Sequence, residues 1–145
     1  GLVCVSITPE RAQELELDSM VRSNTVLHGT KFTVSVDYLH NTSSGISTFD
    51  RAATVRSLAD PATKPSDLGR PGHIFPLVAA AEGVLRRAGH TEATVDLMRL
   101  AGLKPCGVLC EILDDDGTMK RRDALIEFAK KHSMKIITVK DLIAY

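Results

Sequence analysis

At 145 residues, 43 % hydrophobic and 25 % charged, the chain has the size and composition of one globular domain with a single core. Eighteen basic residues balance eighteen acidic ones, and aromatics make up only 4 % with no tryptophan, so neither the basic surface nor the stacking platform of a nucleic-acid binder is present. No apolar run approaches the roughly 20 residues of a membrane span, no signal peptide is visible, and Cys4, Cys106 and Cys110 lack CxxC spacing, which disfavours a disulfide framework or a zinc site and favours a reducing compartment.

In chain order, Val3–Ile7 reads as a strand. The opening Gly1-Leu2-Val3-Cys4-Val5 has no Met and enters that strand directly, so a piece of a longer protein is expected. Thr8 and Pro9 open a short helix as N-cap and first helical residue. Phe32–Asp37 alternates as a half-buried strand, and Asn41–Gly45 is a polar loop. Thr48–Ala59 is a helix with Ala52, Val55, Leu58 and Ala59 on one side. Lys64–Gly72 is a structured loop, and Ile74–Ala80 is extended, with Pro76 pointing to an edge or a bulge. Thr91–Ala101 is a helix with Ala93, Leu97, Leu100 and Ala101 inward, stopped by Gly102. Gly107–Leu113 is a strand and Asp114–Gly117 a turn. Arg122–His132 is an amphipathic helix with Leu125, Phe128 and Ala129 inward, Lys135–Val139 a strand, and Asp141–Tyr145 a last short helix. Intermixed strands and helices without a repeat predict a single α/β domain over residues 1–145, a three-layer sandwich with one mixed sheet flanked by helices.

The run Arg87-Ala88-Gly89-His90-Thr91-Glu92 stands at a helix start, where free backbone N–H groups and the dipole favour an anion. Arg87 offers a planar fork for phosphate oxygens, and His90 a group that ligates metal or moves a proton. The same run also reads as an ordinary helix start with solvated charges. Arg70-Pro71-Gly72-His73 holds a histidine in a rigid loop or is a plain turn. Glu111, flanked by apolar residues on an expected central strand, is a general acid or base, or a half-exposed carboxylate paired with a cation. The Asp114–Gly117 run lacks calcium-loop spacing and is a surface turn. Cys4 reads as a small buried hydrophobe. Thr42-Ser43-Ser44-Gly45 is a polar loop or an anion cradle.

Arg70–Leu77, Gly83-Val84-Leu85, Arg87–Ala93 with Asp96-Leu97, Leu100-Ala101-Gly102 and Cys110-Glu111 together resemble the 3,4-dihydroxy-2-butanone 4-phosphate synthase family, from Gly1 to Tyr145. The resemblance implies a lyase of riboflavin biosynthesis that converts D-ribulose 5-phosphate to L-3,4-dihydroxy-2-butanone 4-phosphate and formate through a metal-bound enediol. It implies magnesium or manganese, two ions per site, and a homodimer with sites near the subunit interface. It also implies an association with GTP cyclohydrolase II, by fusion or as a companion, and a cytoplasmic or, in a plant, plastid location.

Carried over residue by residue, the resemblance makes His73, Glu111 and His90 catalytic and His90 a metal ligand. It assigns substrate contacts to Arg87, Ala88, Gly89, His90, Thr91, Glu111, Cys4 and Ser44. On that assignment Arg87→Ala mainly weakens substrate binding. The family's acidic Arg-Glu-x-Glu-Gly-Asp stretch, which supplies a metal-binding Glu, does not occur in these residues. The chain is expected to be the C-terminal two-thirds of the synthase domain, inactive by itself. The competing expectation is a non-catalytic module that binds a phosphorylated sugar or a partner subunit.

Overall fold

The computed structural model describes all 145 residues. Strand β1 (Cys4–Ile7) leads into helix α1 (Pro9–Glu14), where the Thr8 hydroxyl accepts the Arg11 N–H at 3.2 Å and Pro9 fills the first turn, as the sequence predicts. Strand β2 (Val36–Tyr38), helix α2 (Thr48–Ala59) and the long strand β3 (Leu68–Val78) follow. Helix α3 (His90–Leu100), strand β4 (Gly107–Leu109), helix α4 (Arg122–Lys131) and helix α5 (Val139–Ala144) complete the chain.

The four strands form one mixed sheet in the order β2-β3-β1-β4. β1 and β3 are parallel, joined through α2, and the outer strands pair antiparallel to their neighbours. Alternation along β1 sends Val5 and Ile7 to one face and Cys4 and Ser6 to the other. Val5 and Ile7 are fully buried in the core with Ala12 and Leu15 of the α1 region, Leu58 of α2, Val36 and Ile74. On the other face, a Cβ added to Gly107, which lies opposite Ser6, would come within 2.6 Å of Thr94 in α3. The sheet is therefore the middle of three layers, with α1 and α2 on one side and α3 on the other, which is the predicted architecture.

Several elements differ from the sequence reading, each for a physical reason. Regular strand pairing starts only at Val36; Phe32 and Thr33 make isolated bridges to Leu77 and Ser19. β3 begins at Leu68, inside the predicted loop, and it is an interior strand. Pro76 is tolerated there because its position faces the irregular 31–34 segment, where only its carbonyl is used, by the Thr33 N–H at 3.0 Å. The most buried positions of α2 are Asp50, Thr54, Ser57 and Leu58. Its polar members are satisfied: Thr54 Oγ accepts the Tyr38 N–H at 2.9 Å and donates to the Asp50 carbonyl at 3.1 Å.

In α3 the buried residues are Thr91, Glu92, Ala93 and Val95, while Leu97 and Leu100 face outward. The helix start is thus the part that docks. Gly102, at φ +68°, ends the helix as expected. β4 stops at Leu109 and is an edge strand, so Glu111 is not on a central strand. Of the predicted inward stripe on α4 only Ala129 is fully buried. No strand forms at Lys135–Val139; Thr138 instead caps α5, its hydroxyl accepting the Asp141 N–H at 3.1 Å.

Candidate active site

The predicted site residues fall into two groups. The first lies where β1 begins, beside the middle of β3. Cys4 is in register with Phe75 on one side and Leu109 on the other; His73 is two residues before Phe75 and Glu111 two beyond Leu109.

His73 is held by Asp37, a residue the sequence reading did not single out. One carboxylate oxygen accepts the His73 backbone N–H at 2.8 Å, and the other lies 2.6 Å from Nδ1. A β-bulge between Val36 and Asp37 allows this. Gly72 fits there because any Cβ would overlap the Val36 backbone, and its N–H reaches Ser35 Oγ at 3.1 Å. Arg70 takes no part in the site. Its guanidinium bonds the carbonyls of Leu15, Leu68 and Pro65 at 2.7, 3.0 and 3.1 Å and ties the strand to the turn after α1.

Ser44 sits on a loop pressed against this pair. Buried Asp50 accepts Ser43 Oγ at 2.8 Å, the Gly45 N–H at 3.0 Å and the Ser43 N–H at 3.3 Å. The Ser43 hydroxyl, with the two loop N–H groups and Ser47, holds the Asp50 carboxyl below its usual range. Gly45, at φ +81°, packs so closely on Asp37 that a Cβ would overlap its carboxylate. Ser44 is exposed.

Glu111 is exposed and accepts the Leu2 N–H at 2.9 Å; it is neither buried among apolar residues nor paired with a cation. Cys4 is buried, as predicted, and burial, reinforced by the nearby Glu111 charge and Cys110, pushes its thiol up to about 11. It is an uncharged thiol at neutral pH, not a thiolate nucleophile.

The second group is the start of α3. His90 and Ala88 are exposed, Thr91 is buried, and Gly89 is the N-cap. The first-turn N–H groups of the helix have no intrahelical acceptor. Arg87 is not a free fork: Nη1 donates to Glu92 at 2.7 Å, and Nη2 to the His28 carbonyl at 2.9 Å and Thr30 Oγ at 3.0 Å. Glu92, 1 % exposed, also accepts the Ala80 N–H at 3.0 Å, which docks the helix start at the end of β3. The two groups thus sit apart along β3, with seven residues, roughly 23 Å of extended chain, from His73 in mid-strand to Ala80 just beyond the strand's end.

No three His, Cys, Asp or Glu side chains converge to hold a metal. His90 alone is one nitrogen donor, and magnesium prefers oxygen ligands in octahedral array. The residues of this chain do not by themselves fit a magnesium site.

Asp37, Asp50 and Glu92 carry the local order. Asp37 left a faint sign, a carboxylate ending an alternating apolar strand; Asp50 left another, three residues beyond the N-cap Ser47.

Comparison with known proteins gives one consistent answer. The family model for 3,4-dihydroxy-2-butanone 4-phosphate synthase matches residues 1–145. The riboflavin biosynthesis protein RibBA of Parabacteroides distasonis is 63 % identical over the whole chain, which spans 36 % of that relative. The 3,4-dihydroxy-2-butanone 4-phosphate synthase of Escherichia coli is 54 % identical, with 67 % of its length spanned. The chain therefore covers about a third of the RibBA relatives and two-thirds of the shorter synthases. Among solved structures, a synthase in complex with two magnesium ions superposes with a TM-score of 0.95 at 46 % identity, over 99 % of this chain and 72 % of that one. The Candida albicans synthase gives 0.92 at 49 % identity, over 99 % and 70 %.

Proposed function

The chain belongs to the 3,4-dihydroxy-2-butanone 4-phosphate synthase family, and from that membership we propose that it is the part of a riboflavin-pathway lyase that carries His73, Glu111 and His90. The reaction is conversion of D-ribulose 5-phosphate to L-3,4-dihydroxy-2-butanone 4-phosphate and formate. The observation that carries the reading is the match over the whole chain, with His73 gripped by a carboxylate and left nearly half exposed.

His73 takes or returns a proton at its free ring nitrogen. Glu111, in solvent near the same end of the sheet, contacts substrate hydroxyls and moves a second proton. Cys4 lines that end as a neutral thiol, and exposed Ser44 offers a hydroxyl from the loop beside it. The backbone of Ala88, Gly89 and His90 with Thr91 receives the phosphate at the helix start. Arg87 orders that start and keeps only its Nε and one edge for the ligand.

The separation of the two groups along β3 supports a homodimer in which one copy's His73 end meets the other copy's α3 start. A metal, magnesium or manganese and up to two ions, would be held with ligands beyond this chain, His90 supplying one. The longer relatives, of which the chain spans a third, support a joined GTP cyclohydrolase II. The three unpaired thiols support a cytoplasmic or plastid setting. A second reading, a phosphosugar-binding module without turnover, is favoured only by the absence of a three-ligand metal cluster in the chain.

The test is genetic. A chimera in which this chain replaces the matching residues of the Escherichia coli synthase should restore growth of a synthase-deficient strain without riboflavin. Growth only with riboflavin, from a folded and expressed chimera, contradicts the proposal.

A further inference from the structure

We propose that Asp96 and Thr30 are positioning residues for the phosphate end of the substrate: Asp96 fastens the turn that delivers Arg87 to the start of α3, and Thr30 holds the Arg87 guanidinium against Gly89. The inference rests on the function proposed above for the identity of the ligand, a sugar phosphate; the clamp itself is read from the hydrogen bonds.

The chain enters α3 through the turn Gly83–Leu85, and the helix fastens that approach to its own side. Glu92 accepts the Ala80 N–H at 3.0 Å, and Asp96, one helical turn further on, accepts the Val84 N–H at 2.7 Å. Both bonds span twelve residues, so approach and helix are pinned in register at two points. Gly83, at φ +62°, is left-handed there, and a Cβ would overlap the Asp96 carboxylate. The Gly83 carbonyl in turn accepts the Arg86 and Arg87 N–H groups at 3.0 and 3.1 Å. Asp96 thereby sets where the Arg87 backbone stands.

Thr30 acts on the other end of the same side chain. Its Oγ accepts from Arg87 Nη2 at 3.0 Å, beside the His28 carbonyl at 2.9 Å, while Nη1 donates to Glu92 at 2.7 Å. The turn that carries Thr30 is closed on itself: Asn24 Nδ2 donates to the Thr30 carbonyl at 2.8 Å, and Asn24 Oδ1 accepts the Val26 N–H at 3.1 Å. On the helix side, a Cβ on Gly89 would crowd Nη1 and Cζ of Arg87, so the guanidinium lies directly on the N-cap residue. A phosphate at the unpaired first-turn N–H groups therefore meets a cation whose plane is already fixed, and little side-chain entropy is lost on binding. The phosphate is not a reacting group in the proposed conversion, so loosening the clamp weakens binding and spares the chemical step.

In the chimera described above, Thr30→Val, which keeps the shape and removes the acceptor, should raise KM for ribulose 5-phosphate at least about tenfold with kcat within about threefold. Thr30→Ser should restore KM. Asp96→Ala should raise KM by a similar factor, and Asp96→Asn, which keeps an acceptor oxygen for the Val84 N–H, should raise it less. Nitrogen-15 NMR of the labelled 145-residue chain with inorganic phosphate reads the site without turnover. The Gly89, His90 and Thr91 amides should shift and saturate in the parent, and should need at least about tenfold more phosphate in Thr30→Val and Asp96→Ala.

A KM within about twofold of the parent in both Thr30→Val and Asp96→Ala overturns the inference, as does a fall in kcat at unchanged KM. A Thr30→Ser variant no better than Thr30→Val overturns it too, and so does a parent chain whose helix-start amides do not respond to phosphate. A parent chimera without turnover defeats the proposed function, while the phosphate titration still decides the clamp.

Discussion

Arg87 and Glu92 form an ion pair of 2.7 Å whose carboxylate is 1 % exposed, and that pair joins the start of α3 to the end of β3. The same carboxylate takes the Ala80 N–H, while the other guanidinium nitrogen holds the His28–Thr30 turn. Gly89 is required between them because a Cβ would crowd both side chains.

Arg87→Ala should therefore destabilise the fold by about 3–5 kcal/mol, since it leaves a buried carboxylate without its cation. Glu92→Gln should cost about 1–3 kcal/mol, because the amide still reaches the Ala80 N–H. Urea unfolding of both variants and of the double variant checks this. A loss below about 1 kcal/mol for Arg87→Ala would contradict this structural role.

With no three metal-binding side chains converging, the 145-residue chain with magnesium should show no saturable metal binding by calorimetry and release no formate from ribulose 5-phosphate. Turnover by the chain alone would place a complete metal site where the structure has none.

The fold was largely legible. Thr8-Pro9, the Thr48–Ala59 stretch and Gly102 announce their elements through local chemistry that tertiary packing leaves intact. The site was half legible. His73, His90 and Glu111 stood out by family motif, but the partners that define their geometry come from afar: Asp37 is 36 residues from His73. Such pairs depend on strand register and a bulge, which spacing does not encode. Glu111 was misplaced because the apolar run through Ile112 has strand composition, whereas pairing ends at Leu109 at a sheet edge. Lys135–Val139 failed similarly: its β-branched residues find no neighbouring strand, and Thr138 caps a helix instead.

Burial pushes both Cys4 and Cys106 up to about 11, while Cys110 is exposed. A thiol reagent at neutral pH should modify Cys110 quickly and the other two only on unfolding. The raised values also set an alkaline limit. The unfolded thiols ionise near their ordinary value and the folded ones two units higher, so the stability each contributes is intact below about pH 9 and is lost as pH rises toward 11. The loss approaches roughly 2–3 kcal/mol per thiol. Cys4→Ala and Cys106→Ala should each flatten that decline in a pH series of denaturation midpoints.

Asp50 ties down the loop over Asp37, and its carboxyl sits below the usual range chiefly through Ser43 Oγ. The loop's order should persist above the ordinary carboxylate range and fail as pH falls through the depressed value. Asp50→Asn should speed amide exchange at Ser43 and Gly45 at least about tenfold while α3 stays protected, measured by hydrogen exchange. Uniform acceleration through both regions would deny the loop its separate anchor.

The most direct measurement is carbon-13 NMR of the Escherichia coli chimera given ribulose 5-phosphate labelled at C4, with magnesium. The account predicts labelled formate from the parent and a loss of at least about a hundredfold in His73→Ala, Glu111→Ala and His90→Ala. No labelled formate from a folded parent, or undiminished formate from the three variants, would contradict it.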